Sequence, residues 1–214
     1  TETAHVDVVQ DILDQLWKNK EIYSDTYSGW YCIHEERYWT PKEVGEEHLC
    51  PDCKRPVEYV EEKNYFFRMG NYQEQLLDHI RKHPDWIIPQ TRRNEVLGFL
   101  KQPLEDLSIS RPKSRLDWGI TLPFDDSHVC YVWVDALFSY VTGSNFPGTQ
   151  SENLTNCCWP ADLQVVGKDI LTTHSVYWPA LLMASNLPLP KQILAHGWWL
   201  SENAKMSKSM GNGI

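Results

Sequence analysis

Apolar side chains at Val6, Val9, Leu13 and Leu16 recur at the three-and-four spacing of one helix face. This predicts an amphipathic helix over residues 4–19 with Thr3 as its N-cap. From residue 22 to 67 the pattern changes to short aromatic runs broken by Gly29, Pro41, Gly45, Pro51 and Pro56, which reads as small strands and turns. Leu76, Leu77 and Ile80 mark a helix stopped by Pro84, and Val96, Leu97 and Leu100 mark another between Thr91 and Pro103. Both helices are read as closing this first, β-rich unit. Beyond Trp118, short apolar strands at 129–133, 163–166 and 193–196 alternate with helical segments, and 145–159 reads as a loop. That alternation predicts a small parallel α/β sheet with crossovers, whose ligands bind beyond the carboxyl ends of the strands.

Three motifs begin at those ends. The first is Trp133-Val134-Asp135-Ala136-Leu137-Phe138-Ser139-Tyr140. A helix starting near Asp135 puts Leu137 and Tyr140 on one face with Trp133 at its entry, as in a pocket wall. An ordinary aromatic core reads the same way. The second, Gly167-Lys168-Asp169-Ile170, follows an apolar strand. Its glycine allows close approach of a ligand, its helix N-terminus offers free N–H groups, and Asp169 accepts from a hydroxyl or ammonium. His174 and Trp178, four apart, share a face, and Pro179 predicts a kink near Ser175. His174 is assigned a binding role. In the third, the strand at 193–196 delivers Lys205-Met206-Ser207-Lys208-Ser209-Met210-Gly211-Asn212, a cationic loop suited to closing over polyphosphate. On charge alone, the same lysines also read as solvated.

Composition narrows the classes. A length of 214 residues allows one sizeable domain or two small ones. The net charge of −9 leaves no global basic field for nucleic acid, so any RNA contact is local. No apolar run reaches membrane-spanning length and the first residues do not resemble a signal peptide, so the chain reads as soluble and intracellular. Six cysteines in uneven groups suit reduced thiols better than a disulfide framework.

In their order and spacing, Trp133-Val134-Asp135-Ala136, Gly167-Lys168-Asp169-Ile170, His174, Trp178-Pro179-Ala180, His196-Gly197 and Lys205 to Ser209 resemble the methionyl-tRNA synthetase family of bacterial and organellar type. The resemblance extends upstream through Gly29-Trp30-Tyr31-Cys32, Asn64-Tyr65-Phe66-Phe67-Arg68, Arg93-Asn94-Glu95-Val96 and Ser108-Ile109-Ser110-Arg111. It implies a class I Rossmann-like α/β fold with an inserted β-rich knuckle. In this division, residues 1–20 lead from the first half of the catalytic domain, 21–117 form the knuckle, 118–200 form the second half, and 201–214 hold the lysine loop.

The implied activity is ATP-dependent activation of methionine and transfer to tRNA(Met), in the cytoplasm or an organellar matrix. By the same resemblance Trp133, Ala136, Leu137, Tyr140, Asp169, Ile170, His174 and Trp178 contact methionine, with the Tyr140 hydroxyl matched to the thioether. Arg111 meets the carboxylate and phosphate end. Gly167, Asp169, Lys205, Ser207 and Lys208 contact ATP, which arrives with Mg2+, and the catalytic roles fall to Arg111, Lys205 and Lys208. The family's His-x-Gly-His-type motif and its anticodon-binding helical domain are absent from these residues, so the chain is expected to be one piece of the enzyme. Gly213 stands where the family often has an apolar residue. Two other readings stay open: a non-catalytic module that binds RNA or a partner, and a class I synthetase for another amino acid.

Many family members bind Zn2+ through two ligand pairs, each spaced by two residues. Cys50 and Cys53 supply one pair, while beside Cys32 the expected partner position holds Glu35, with His34 adjacent. A site of Cys32, Cys50, Cys53 and either His34 or Glu35 is chemically workable, and so is a knuckle without metal.

Overall fold

A computed structural model describes residues 2–35, 37–144, 158–201 and 204–205. Helix α1 (Thr3–Lys18) buries Val9, Ile12, Leu13 and Leu16 along one face, with Val6 half-buried beside them. Its start differs from expectation by one position. Glu2, in extended backbone, is the N-cap, and Thr3 is already helical and makes no side-chain cap.

Strand β1 (Ile22–Cys32) is followed by β2 (Arg37–Trp39), the single-turn helix α2 (Pro41–Val44) and the long β3 (Glu58–Phe67). Two local devices fix the α2 turn. Thr40 and Glu43 form a capping box, with the Thr40 amide and hydroxyl both donating to Glu43 Oε2, and Gly45 at φ 63° ends the turn. Antiparallel β1 and β3 run in register from Ile22 opposite Phe67 to Tyr31 opposite Glu58. Cys32, Trp39, Val44, Cys50 and Val57 form a small core of their own at the far end of this ribbon.

A 3₁₀ turn (Met69–Tyr72) leads to α3 (Gln73–Lys82), β4 (Ile87–Ile88), α4 (Gln90–Phe99) and β5 (Leu107–Ser108). With β5 against β3, the first sheet has the order β2-β1-β3-β5. The chain continues through β6 (Ser110–Pro112), β7 (Thr121–Leu122), β8 (Asp125–Cys130) and α5 (Val132–Gly143). Beyond them come β9 (Gln164–Gly167), a 3₁₀ turn (Lys168–Ile170), a π-helical turn (Thr173–Tyr177), α6 (Trp178–Ala184) and β10 (Ile193–His196). Strands β11 (Leu200–Ser201) and β12 (Ala204–Lys205) pair antiparallel at the end.

Three expectations change. The strand expected at 129–133 ends at Cys130 and pairs antiparallel with β6 and β7, so Trp133 sits in the first turn of α5. The parallel sheet is instead β4-β10-β9, and its third strand is the two-residue Ile87–Ile88, too short to show any periodicity. Helices α3 and α4, expected to close the β-rich unit, bury Leu76, Leu77, Ile80, Val96 and Leu100 in the same large core as α1, α5 and α6. The reason is tertiary: their apolar faces are satisfied by the larger core.

The expectation around Pro179 is met in a particular form. Proline lacks an N–H, and its ring collides with the carbonyl four residues back, here that of Ser175. The backbone answers with the wide π turn centred on Ser175, whose hydroxyl donates to the Leu171 carbonyl at 2.7 Å. Of the loop expected at 145–159, residues 145–157 lie outside the described residues. Trp159 is buried and its Nε1 donates to the Pro188 carbonyl. Among the described residues no helix is long and apolar enough to cross a membrane.

Candidate active site

The parallel register sets Gly167 at the end of β9 directly beside His196 at the end of β10. Two of the three motifs therefore leave the sheet side by side at its carboxyl edge, where open α/β sheets bind ligands. The third arrives on α5. Its Tyr140 packs against the π turn, with Tyr140 Oη 2.9 Å from His174 Nε2. The His174 Nδ1 lies 2.9 Å from the Ile170 carbonyl, which can only accept, so Nδ1 carries the proton and Nε2 accepts from the tyrosine.

Burial lowers the His174 pKa from its ordinary value, against the Ile170 hydrogen bond, which raises it. Burial also raises the Tyr140 phenol. Both groups are therefore neutral near pH 7. Behind them Trp178 is fully buried, with ring centroids 6.2 Å from Tyr140, 5.4 Å from Phe138 and 5.7 Å from Trp159. Phe138 and Trp159 were not picked out as site residues from the sequence. Phe138 lies inside the first motif, whereas Trp159 gave no signal beyond being a tryptophan in an apparent loop. The result is a neutral aromatic wall with one polar edge.

Trp133 and Leu137, on the same side of α5 as Tyr140, line a cavity of about 350 Å3 together with Arg111, Tyr131, Ser108, Glu105, Asp106 and Tyr177. Trp133 is 40% exposed and Leu137 buried. Arg111 is 8% exposed, donates to Ser108 Oγ and the Ser110 carbonyl, and lies over the Tyr131 ring at 4.3 Å. Among the described residues no carboxylate pairs with it at ion-pair distance. A buried guanidinium whose direct partners are all neutral keeps its charge open to an anion, in a cavity that Glu105 and Asp106 also line.

At the end of β9 the close approach expected at Gly167 occurs within the chain. A Cβ there would stand 2.5 Å from Asp169 Oδ1, while φ is an ordinary −69°. The glycine makes room for the Asp169 carboxylate. Asp169 is exposed and Ile170 is packed on the core. Lys168 Nζ sits 3.8 Å above the Trp198 ring. Ala136 lies exposed on α5. The backbone of Lys205 belongs to β12, whereas Ser207 and Lys208 lie outside the described residues.

A larger cleft of about 690 Å3, lined by His79, Trp86, Met183, Leu187 and Lys191, contains none of these residues. Volume and chemistry point to different places, and the chemistry carries the assignment.

In the knuckle the thiols of Cys32, Cys50 and Cys53 lie within 4.8 Å of one another, and Cys32 Sγ is 3.5 Å from Cys53 Sγ. Tetrahedral zinc with Zn–S bonds of about 2.3 Å sets its sulfurs about 3.8 Å apart, so the cluster fits the ion. Burial and the neighbouring thiols Cys32 and Cys50 push Cys53 up to about 11. The fourth ligand expected at His34 or Glu35 is not in the cluster. The turn between β1 and β2 carries both side chains out towards solvent, and His34 Nδ1 is taken by the Arg55 guanidinium at 2.7 Å.

The model of the family described as tRNA synthetases class I (M) matches residues 1–59 and 54–214. The chain belongs to this family. Among the synthetases it resembles is the methionine–tRNA ligase of Clostridium acetobutylicum, 49% identical over all of this chain and 33% of that protein. That of Caldanaerobacter subterraneus is 47% identical with the same coverage. The chain thus spans about a third of the length of these curated relatives. Among solved structures, the Mycobacterium tuberculosis methionyl-tRNA synthetase in complex with methionyl-adenylate superposes with a TM-score of 0.84 at 44% identity. The match covers 99% of this chain and 42% of that one. The fold is therefore the mixed α/β class I synthetase fold with a β-rich insertion.

Proposed function

We propose that this chain is part of a methionine–tRNA ligase, in which α5 and the π turn hold the methionine side chain and Arg111 meets the anionic end of the substrates. The observation that carries this reading is the buried Arg111 without a carboxylate partner among the described residues, in a cavity shared with Trp133 and Leu137. The neutral Tyr140–His174 pair and the Trp178 ring suit an unbranched, polarizable thioether and disfavour a charged side chain. The mycobacterial neighbour holds methionyl-adenylate, which supports the same substrate here.

The chemistry needs no protein nucleophile. A methionine carboxylate oxygen attacks the α-phosphorus of ATP, the bond to the β-phosphate bridging oxygen breaks, and pyrophosphate leaves. A terminal ribose hydroxyl of tRNA(Met) then attacks the carbonyl carbon, loses its proton and displaces AMP. Magnesium arriving with ATP supplies charge neutralisation. The chain's own work is positional and electrostatic: Trp133, Ala136, Leu137, Ile170, Tyr140, His174 and Trp178 seat the side chain, while Asp169 and Gly167 line the approach. Neutralising the developing charge is the role assigned to Arg111, Lys205, Ser207 and Lys208. Cys32, Cys50 and Cys53 would hold a zinc ion that ties the knuckle's small core together, its fourth ligand coming from water or from a side chain that moves in.

The rest of the longer protein has a place to dock. On β4-β10-β9, Ile87, Ile193 and Gln164 form a buried face, whereas Ile88, Leu194 and the 61% exposed Val165 form a face that is only half covered. Parallel sheets are normally covered on both faces, so this one suits the first half of a catalytic domain contributed from outside these residues. A separate anticodon-binding domain and a cytoplasmic or organellar location belong to the same proposal.

The test is pyrophosphate exchange by the full-length protein, run with each amino acid in turn. Methionine-dependent exchange, strongly slowed in Lys208→Ala while methionine binding persists, is the expected result. Exchange with another amino acid would make it a different class I synthetase. No exchange with any would favour a non-catalytic module.

A further inference from the structure

We infer that His5, in the first turn of α1, is a positioning residue for the methionine pocket, acting by clamping α5 from behind. The inference rests on the reading of α5 as a pocket wall. His5 is 9% exposed, and both of its ring nitrogens are used. Nε2 lies 2.7 Å from Asp135 Oδ1 and Nδ1 2.8 Å from Thr142 Oγ1.

The proton on Nε2 follows from its partner. An ionised carboxylate only accepts, so Nε2 carries a proton for Asp135, while Nδ1 pairs with the Thr142 hydroxyl. That hydroxyl also has the Phe138 carbonyl within reach, but at 3.3 Å, the longer of its two contacts. Both ends of the ring are therefore satisfied by α5 alone.

Asp135 and Thr142 are seven residues apart, which is two turns of helix, so one rigid ring bridges most of the length of α5 on a single face. At about 100° per residue, Trp133, Leu137 and Tyr140 fall within roughly 60° of one another on the opposite side. A roll or slide of α5 that His5 prevents would be felt directly by those three side chains. Tyr140 is the sensitive one, because its 2.9 Å bond to His174 joins α5 to the π turn and tolerates little displacement. Helix α1 is itself anchored in the main core through Val9, Ile12, Leu13 and Leu16, so the clamp has a fixed base. Ordinary apolar packing between α1 and α5 would resist separation but not rotation, and a ring bonded at both ends resists both.

The test uses the full-length enzyme and pyrophosphate exchange, with His5→Ala, His5→Gln and Thr142→Val. His5→Ala should raise the KM for methionine about tenfold and leave the KM for ATP within about twofold, as expected when oriented hydrogen bonds to one helix are lost. His5→Gln can return an amide N–H to Asp135 and should recover most of the loss. Thr142→Val keeps the side-chain shape, removes one end of the clamp and should give a smaller rise of the same kind, which guards against a poorly folded His5→Ala. Equal changes in both KM values, an unchanged KM for methionine, or a His5→Gln as defective as His5→Ala would overturn the inference. A wild-type control without methionine-dependent exchange would overturn the pocket reading itself, and the two failures are told apart by that control.

Discussion

Tyr140 donates its hydroxyl hydrogen to His174 Nε2 across 2.9 Å, because the other ring nitrogen of His174 is already committed to the Ile170 carbonyl. The phenolic oxygen is therefore oriented before any substrate arrives. On the proposed function, a bound thioether would meet a neutral pair held by the π turn around Ser175.

Tyr140→Phe removes that bond while keeping the ring. With the hydroxyl hydrogen committed to His174, a thioether meets the oriented dipole of the pair and not a donated hydrogen, so discrimination between methionine and isosteric norleucine should fall by at most about 1 kcal/mol, a factor of roughly five. Relative kcat/KM values for the two amino acids in exchange assays measure this directly. Equal ratios in variant and parent would remove Tyr140 from the specificity set.

Acid should weaken the same pocket. Burial holds the His174 pKa below its ordinary value of 6.5, so from that value downward the unfolded chain binds a proton that the folded ring resists. Stability from this group is therefore complete above about pH 6.5 and is lost as pH falls towards the lower folded value. Once protonated, Nε2 can no longer accept from Tyr140. Calorimetric methionine affinities between about pH 5.5 and 8 should be flat at the upper end and decline at the lower, with His174→Gln flattening the curve. Affinity that improves on acidification would contradict the assigned tautomer.

Arg111→Gln should slow adenylate formation by roughly 2 kcal/mol, about thirtyfold, since a charge-assisted hydrogen bond to an anion is lost. Arg111→Lys should restore little, because a lysine cannot stack a planar group on Tyr131 while one nitrogen holds both Ser108 Oγ and the Ser110 carbonyl and the others stay free for an anion. Single-turnover rates at saturating ATP decide the matter. A lysine variant at the parental rate would show that only the charge counts.

Zinc analysis of protein purified without chelator should give close to one ion per chain, and Cys53→Ser should lower that occupancy and loosen the knuckle. Proteolysis between residues 32 and 58 is the sensitive readout for the second effect. A zinc-free protein whose knuckle resists protease as well as the parent would exclude a structural metal there.

Much of this was determined by the sequence alone. The stripe of α1, the strand at Ile193–His196 and the break before Pro179 follow from local periodicity and from proline's missing N–H, which act over a turn or two of chain. The motif residues named the family, because their order along the chain carries it. What local pattern could not carry was decided by tertiary contact. Ile87–Ile88 becomes a parallel strand because β10 lies beside it, while the strand ending at Val129-Cys130, expected in the parallel sheet, pairs antiparallel with β6 and β7. His5 gave no signal because both of its hydrogen-bond partners lie about 130 residues or more away. His34 and Glu35 sit at workable spacing for a metal, but the turn between β1 and β2 directs them outward. Periodicity reports which face of an element is buried, whereas partners distant in sequence are chosen only when whole faces are packed together.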